Sequence, residues 1–189
     1  MSVSEPSGAS ALSRQEILDA LRQLSDELEQ EGVIGEVCLF GGTVMVLAYN
    51  ARPATKDVDA LFQPADILRR LARKVALDRH LPEHWLNDGV KGYLSVRHAV
   101  TAGNLPQFPR LRLTMPVPEY LLAMKCMAAR LGGPSGEQSD VPDIRFLIRH
   151  LALRDPQSVL DIVAQYYPAN RIPVKTQYLI EGLFAEGQV

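Results

Sequence analysis

The stretch that most constrains the fold is residues 36–62, where two short apolar runs lie on either side of a glycine pair. The first run, EVCLF, leads directly into Gly41–Gly42, and the second, DVDALF, carries two aspartates one residue apart. Between them, TVMVLAYN predicts a short helix and ARPAT predicts a turn. A strand, a short helix and a second strand in this order predict a mixed α/β core.

Alternation along DVDALF predicts which face of the second strand is open. Residues i and i+2 of a strand point to the same side, so Asp57 and Asp59 present their carboxylates together while Val58, Ala60 and Phe62 point into the core. Two carboxylates this close repel each other, and a divalent cation between them removes that cost. Mg²⁺ prefers carboxylate oxygens and completes its shell with water and substrate phosphates. The pair therefore predicts a site for Mg²⁺ (or Mn²⁺) and a polyphosphate substrate.

The residues around the glycines fit a phosphate. Gly41 and Gly42 at a strand-to-helix junction let an anion approach the backbone, and Thr43 adds a hydroxyl there. Arg52 and Lys56 supply positive charge between the two strands. Each feature alone is more often a turn or a solvated strand end, and it is their order that favours a site.

The rest of the chain predicts further helices and strands. Ser13 and Glu16 form a capping box that opens a helix ending at Gly32, and Pro64 opens a second amphipathic helix. YLSVRHAV (93–100) and RLRLTM (110–115) have strand character. Four helices are expected after Pro118, at 118–131, 141–153, 156–167 and 173–185. We therefore expect a disordered leader (1–13), an α/β core (14–115) and a helical portion (116–189) packed on it as a single compact unit.

Composition excludes several classes of function. The net charge of −2 gives no overall attraction to nucleic acid, so any such binding needs a local patch. No apolar run approaches the roughly 20 residues that span a bilayer, so no membrane association is expected. Cys38 and Cys126 lie in apolar segments without metal-binding spacing, which predicts two buried free thiols in a reducing cytoplasm.

The pattern of 36–62 resembles the nucleotidyltransferase (DNA polymerase β-like) superfamily. Its finer form, Gly41-Gly42-Thr43 followed by Arg52, Thr55, Lys56, Asp57, Val58 and Asp59, is similar to the AbiE-type abortive-infection toxins and their uncharacterised bacterial relatives. A second motif of those proteins is also matched. MKCMAAR supplies Lys125, Ala128 and Arg130, and SDVPDI supplies Asp140 and Asp143, with Ser139 standing where the motif has arginine.

The resemblance implies a metal-dependent transferase on a nucleotidyltransferase-like mixed sheet flanked by helices. Asp57 and Asp59 would hold the metal, Lys125 and Asp143 would join them as catalytic residues, and the nucleotide would lie against the predicted phosphate site: Gly41, Gly42, Thr43, Arg52, Thr55 and Lys56. The reaction would move a nucleoside monophosphate from an NTP to an RNA, notably a tRNA 3′ end, or to a protein. In that family the chain would be the toxin of a toxin–antitoxin pair, with an antitoxin protein as its partner.

Several alternatives stay open. The predicted strands 93–100 and 110–115 carry no acid, so a third metal-binding carboxylate would have to be Asp143 or Asp88, and a catalytically inactive nucleotide-binding or protein-interaction module on the same fold is the main rival. Lys125 could instead extend its charge from an apolar helix to solvent, and Asp140 and Asp143 could serve the start of the next helix.

Two further patterns are weaker evidence for a functional site. A tRNA could contact the basic residues of the second helix and the last strand, although solvated faces of amphipathic elements are the more common explanation; these are Arg69, Arg70, Arg73, Lys74, Arg110 and Arg112. HLPEH (80–84) matches an inverted zinc-protease pattern, but Pro82 interrupts the helix that such a site requires.

Overall fold

The computed structural model describes residues 11–130 and 139–189. These residues form two compact units. The first consists of the chain up to Gly89 together with Ala102–Thr114, and the second of Val90–Thr101 and the residues from Met115 onward. Most of the predicted leader lies outside the described residues, but its last two residues, Leu12 and Ser13, are ordered in a short strand because Leu12 is buried.

The first unit is built from strands and helices in alternation. In chain order they are β1 (Leu12–Ser13), α1 (Arg14–Gln30), β2 (Gly35–Leu39), α2 (Gly41–Leu47), β3 (Ala54–Thr55), β4 (Val58–Gln63), α3 (Ala65–Arg79) and β5 (Leu86–Asn87). The second unit contributes β6 (Val100–Thr101), and β7 (Leu111–Pro116) runs from the first unit into the second. Helices α4 (Pro118–Ala128), α5 (Val141–His150), α6 (Pro156–Tyr166) and α7 (Val174–Ala185) follow.

The sheet of the first unit is mixed. Strand β2 pairs antiparallel with β4 and parallel with β7, and β4 pairs parallel with β5, which gives the order β5-β4-β2-β7. Helix α1 begins at the predicted capping box of Ser13 and Glu16, and its apolar stripe of Ile17, Leu21, Leu24 and Leu28 is fully buried. Burial of each such leucine or isoleucine contributes on the order of 2 kcal/mol. The predicted mixed α/β fold class is confirmed.

The second unit is organised around α4. Residues Tyr120–Cys126 of this helix are all buried, and α4 packs against α5 and α6. The Thr176 hydroxyl of α7 donates a hydrogen bond to the Cys126 carbonyl at 2.9 Å. Both cysteines are free, and Cys126 is fully buried as predicted, whereas Cys38 is only partly buried. Burial raises the pKa of the Cys126 thiol to about 12, so this group stays protonated at neutral pH.

One predicted strand is wrong. Tyr93 is the last residue of a 3₁₀ turn (Gly89–Tyr93), residues 94–99 are irregular, and only Val100 of the predicted strand pairs with β7. The reason is that Ser95 competes with a strand ladder: its backbone N–H donates to the Tyr120 hydroxyl and its own hydroxyl accepts from the Arg97 N–H. Side-chain hydrogen bonds of this kind satisfy the backbone locally and remove the need for a neighbouring strand.

None of the helices within the described ranges has the length and apolar character required to cross a membrane.

Candidate functional site

The aspartate pair lies on the open face of β4, as the alternation predicts. Val58 and Ala60 are fully buried, while Asp57, which immediately precedes the strand, and Asp59 are half-buried on the opposite face. Strand β4 is held on one side by β2 and on the other by β5, where the Val58 N–H donates to the Trp85 carbonyl. The two carboxylates are therefore fixed by the sheet rather than by a flexible loop.

The glycine pair packs directly against this face. Gly41 has φ +58°, a conformation that side chains disfavour, and a Cβ added there would lie 3.2 Å from Asp59 Oδ2. A Cβ on Gly42 would collide with the Thr55 hydroxyl and lie 3.0 Å from the Arg52 guanidinium. The fold thus brings Gly41 beside Asp59 and Gly42 beside Arg52 and Thr55, as a single site requires.

Thr43 and Thr55 are buried rather than open to a ligand. The Thr43 hydroxyl donates a 3.2 Å hydrogen bond to the Asp57 carbonyl, which joins the start of α2 to the start of β4. Thr43 is 0% exposed and Thr55 is 4% exposed. The Thr43 side chain acts in the described conformation by holding the backbone that carries the site. Among the two predicted cations, Arg52 is half-buried and Lys56 is exposed.

Asn87 is a site residue that sequence reasoning missed. Its amide Nδ2 donates to Asp57 Oδ2 at 3.3 Å, and its Oδ1 accepts from the Gly89 N–H at 2.9 Å. The residue lies in β5, in register with Asp59 of β4. The signals in the sequence were weak, because WLNDGVKGYL (85–94) resembles the AbiE-type relatives only loosely and a run as short as WLN does not predict a strand.

Among the described residues, no third acid joins the pair. Within residues 11–130 and 139–189, no three side chains of the His, Cys, Asp and Glu types lie close enough together to hold a metal ion. Asp88, one candidate for the third carboxylate, forms a 2.7 Å ion pair with Arg69. Asp143, the other, lies 2.7 Å from Lys125 Nζ through its Oδ2. The site of the first unit therefore offers two carboxylates and one amide.

Lys125 and Asp143 lie in a buried ion cluster in the second unit. Lys125 Nζ lies 2.9 Å from Asp140 Oδ1 and 2.7 Å from Asp143 Oδ2. The three residues are 7%, 3% and 2% exposed for Lys125, Asp140 and Asp143, respectively. Arg130 Nε donates to the second oxygen of Asp140 at 3.0 Å. The cluster thus contains two positive and two negative charges, so it carries no net charge.

This geometry corrects the structural alternative for Lys125, whereas Asp140 and Asp143 do stand at the N-cap and in the first turn of α5. Lys125 does not extend to solvent, because its ammonium group is buried between two carboxylates. Asp140 stands at the N-cap of α5, but its side chain makes no capping hydrogen bond there. The Ser139 hydroxyl accepts from the Val141 N–H instead. The catalytic role predicted for Lys125 and Asp143 stays a prediction.

The acidity of Asp140 gives a prediction for stability against pH. Burial alone would raise its pKa, but hydrogen bonds from Arg130 and the charge of Lys125 outweigh burial and lower the pKa from 3.8 to about 2. Since the folded pKa is the lower one, the stabilisation is fully present above about pH 4 and is lost as the pH falls toward 2, a change of about 2 kcal/mol. We expect urea unfolding of the wild type between pH 5 and 2 to show this loss, and Asp140→Asn to lack this component. Parallel pH curves for the two proteins would contradict it.

The basic surface predicted for tRNA consists of paired charges. Each of its six cations has at least one carboxylate within 4 Å, at distances from 2.6 to 3.9 Å. The pairs are Arg69–Asp66, Arg69–Asp88, Arg70–Glu31, Arg73–Glu83, Lys74–Glu27, Arg110–Glu29 and Arg112–Glu36. Six cations facing seven acids form no net positive patch, so this surface does not favour a polyanion.

The zinc-protease pattern of residues 80–84 lacks the helix it needs. His80 ends α3 in the left-handed conformation, with φ 55°, and residues 81–84 are not helical. The two histidines therefore do not lie one turn apart on a regular helix, which the metal geometry requires.

Comparisons with protein-family models, with curated proteins and with solved structures found no match to this chain. The nucleotidyltransferase resemblance accordingly rests on the residues and motifs themselves.

Proposed function

We propose that this protein is a metal-dependent nucleotidyltransferase that transfers a nucleoside monophosphate from an NTP to a hydroxyl of an RNA, including tRNA, or of a protein. The observation that supports this most is the position of Asp57 and Asp59 on one half-open face of β4, with Gly41 directly against Asp59. Two fixed carboxylates beside a half-buried glycine backbone suit a divalent cation and the phosphates of its substrate.

The residues present fit Mg²⁺ or Mn²⁺. Oxygen ligands from two carboxylates suit a hard cation that keeps water and phosphate oxygens in its remaining positions. When bound, the ion supplies Lewis-acid polarisation of the phosphate oxygens. The absence of a Cβ at Gly41 leaves room next to Asp59, which is where a phosphate group would need to approach.

The chain's own groups would then do the following. Asp57 and Asp59 would hold the cation, and the Arg52 guanidinium and the exposed Lys56 ammonium would offset negative charge on the triphosphate. The acceptor oxygen forms a bond to the α-phosphorus, the bond from that phosphorus to the β-phosphate bridging oxygen breaks, and pyrophosphate leaves with the electron pair. The acceptor proton passes to water.

The identity of the acceptor is proposed from the resemblance, as are the role of toxin and an antitoxin partner. The charge pairing on α3 argues against that helix as the tRNA surface, so an RNA acceptor would have to meet the protein elsewhere. A protein acceptor needs no basic surface and is therefore an equal part of this proposal.

Labelled nucleotides test the proposal directly. Purified protein is incubated with each of the four NTPs, labelled at the α-phosphate, together with total bacterial RNA or without RNA, in Mg²⁺, Mn²⁺ or EDTA. We expect label to enter RNA or protein only with a divalent cation. The matched control is the same NTP labelled at the γ-phosphate, which should leave no label on the acceptor because pyrophosphate departs. Transfer of γ-label would indicate a kinase instead.

The inactive module remains the second candidate, because no third acid accompanies Asp57 and Asp59 in the described part of the chain. That candidate predicts NTP binding without transfer to any acceptor. Measurable binding of an NTP by calorimetry, combined with no incorporation of α-label under any of these conditions, would favour it over the enzyme.

A further inference from the structure

Asn87 shares the face of the aspartate pair through both the sheet register and a hydrogen bond. Its register partner in the parallel β4–β5 pair is Asp59, so the two side chains leave the sheet on the same face. Its amide nitrogen also lies 3.3 Å from an oxygen of Asp57. Asn87 is therefore next to both carboxylates, although it is 30 residues from Asp57 in the chain.

The orientation of this amide is fixed by its second contact. The Gly89 N–H can only donate, so the Asn87 atom 2.9 Å from it must be the carbonyl oxygen Oδ1. The other atom is then the NH₂ group, and it faces Asp57 Oδ2, which as a carboxylate oxygen accepts. The hydrogen bond engages one oxygen of Asp57 and thereby fixes the rotamer of that side chain.

The amide also sets the charge of the site. With Asn87 neutral, the face carries the two negative charges of Asp57 and Asp59, which one divalent cation neutralises. A carboxylate at position 87 would add a third negative charge within hydrogen-bonding distance of Asp57 and would raise the affinity for cations.

We infer that Asn87 is a positioning residue for a single divalent cation: it orients the Asp57 carboxylate and, by being neutral, holds the site at the charge of one such ion. This inference rests on the proposed function, since it assumes that the aspartate pair binds metal. Groups that hydrogen-bond metal-ligating side chains commonly change metal affinity by about 10- to 100-fold when they are removed.

Mn²⁺ binding measured by electron paramagnetic resonance tests this without reference to activity. The full chain is titrated with Mn²⁺ as the wild type, Asn87→Ala, Asn87→Asp, Asp57→Asn and the exposed control Asn104→Ala. We expect one Mn²⁺ in the wild type, affinity at least about tenfold weaker in Asn87→Ala, and affinity at least about tenfold tighter in Asn87→Asp. Asn104→Ala should bind as the wild type does. Thermal melting in EDTA checks that each variant is folded.

The opposite signs of the two Asn87 variants separate positioning from a structural role, because damage to the fold would weaken binding in both. Unchanged Mn²⁺ affinity in Asn87→Ala, or weaker affinity in Asn87→Asp, overturns this inference. In that case, loss of Mn²⁺ binding in Asp57→Asn still supports the proposed metal site. Absence of Mn²⁺ binding by the wild type, with and without an NTP, overturns both. Should Asn87→Ala not fold, the nearly isosteric Asn87→Asp decides alone.

Discussion

Replacing Asp57 or Asp59 by asparagine should abolish nucleotide transfer and leave the fold unchanged. Each substitution keeps the shape of the side chain but removes one of the two charges that hold the cation. Metal polarisation of phosphate oxygens is worth several kcal/mol of barrier, so we expect a loss of at least about 10³-fold in kcat/KM, or about 4 kcal/mol. The measurement is transfer of α-labelled nucleotide to the acceptor identified with the wild type.

The fold should survive because neither carboxylate contributes to the core. The buried face of β4 consists of Val58, Ala60 and Phe62, and the aspartates occupy the half-exposed face. Removing one of two neighbouring like charges also lowers their repulsion. Asp57→Asn still offers Asn87 an amide oxygen as acceptor. The melting temperature of Asp57→Asn without metal should therefore stay equal to that of the wild type or rise.

The matched control is Asp26→Asn, an exposed aspartate on α1 of the same unit. It should transfer nucleotide at the wild-type rate. Transfer within about twofold of the wild type in both Asp57→Asn and Asp59→Asn would remove the metal assignment, whereas equal losses in all three variants would point to instability of the first unit.

Replacing Lys125 by methionine should destabilise the second unit strongly. The substitution leaves Asp143, which is 2% exposed, without the ammonium group that lies 2.7 Å from it, and weakens the surroundings of Asp140. Removing one partner of a buried ion pair typically costs about 3–5 kcal/mol, because the remaining charge must be buried alone or protonated. Hydrogen exchange of peptides from α4 and α5 should show this loss, while peptides from α1 and β2 keep their protection.

Arg130→Met provides the control within the same cluster. The Arg130 side chain is 66% exposed, and its ion pair with Asp140 is consequently screened by solvent. Its loss should cost about 1 kcal/mol or less. Equal loss of protection in Lys125→Met and Arg130→Met would contradict the view that burial of the lysine is what makes this cluster stabilising.

The same cluster allows the structural and the catalytic roles of Lys125 to be distinguished. A triple variant that replaces all three buried charges, Lys125→Met with Asp140→Asn and Asp143→Asn, should recover most of the stability because no buried charge remains unpaired. Transfer activity that returns with stability assigns the cluster to folding alone. Activity that stays lost in this stable variant supports the catalytic roles that the resemblance implies for Lys125 and Asp143.

Local patterns predicted the elements well where each signal is complete within a few residues. The capping box at Ser13, the glycine pair after β2 and the alternation of β4 all hold in the structure. The wrong prediction of a strand at residues 93–100 also came from a local sequence pattern. Its residue types suit a strand, but its backbone is satisfied by Tyr120 and by Ser95, and a contact across 25 residues is not visible in a local window.

The sequence alone determined that Asp57 and Asp59 share the open face of β4, because side chains alternate along a strand whatever surrounds it. It equally determined that glycines stand where α2 begins. Only the tertiary structure decided which distant groups meet. Asn87 reaches Asp57 through the pairing of β4 with β5, and cations of α3 meet Glu27 of α1 and Glu31 at its C-cap through helix packing. Such contacts depend on register and packing between distant segments, and no local pattern encodes them.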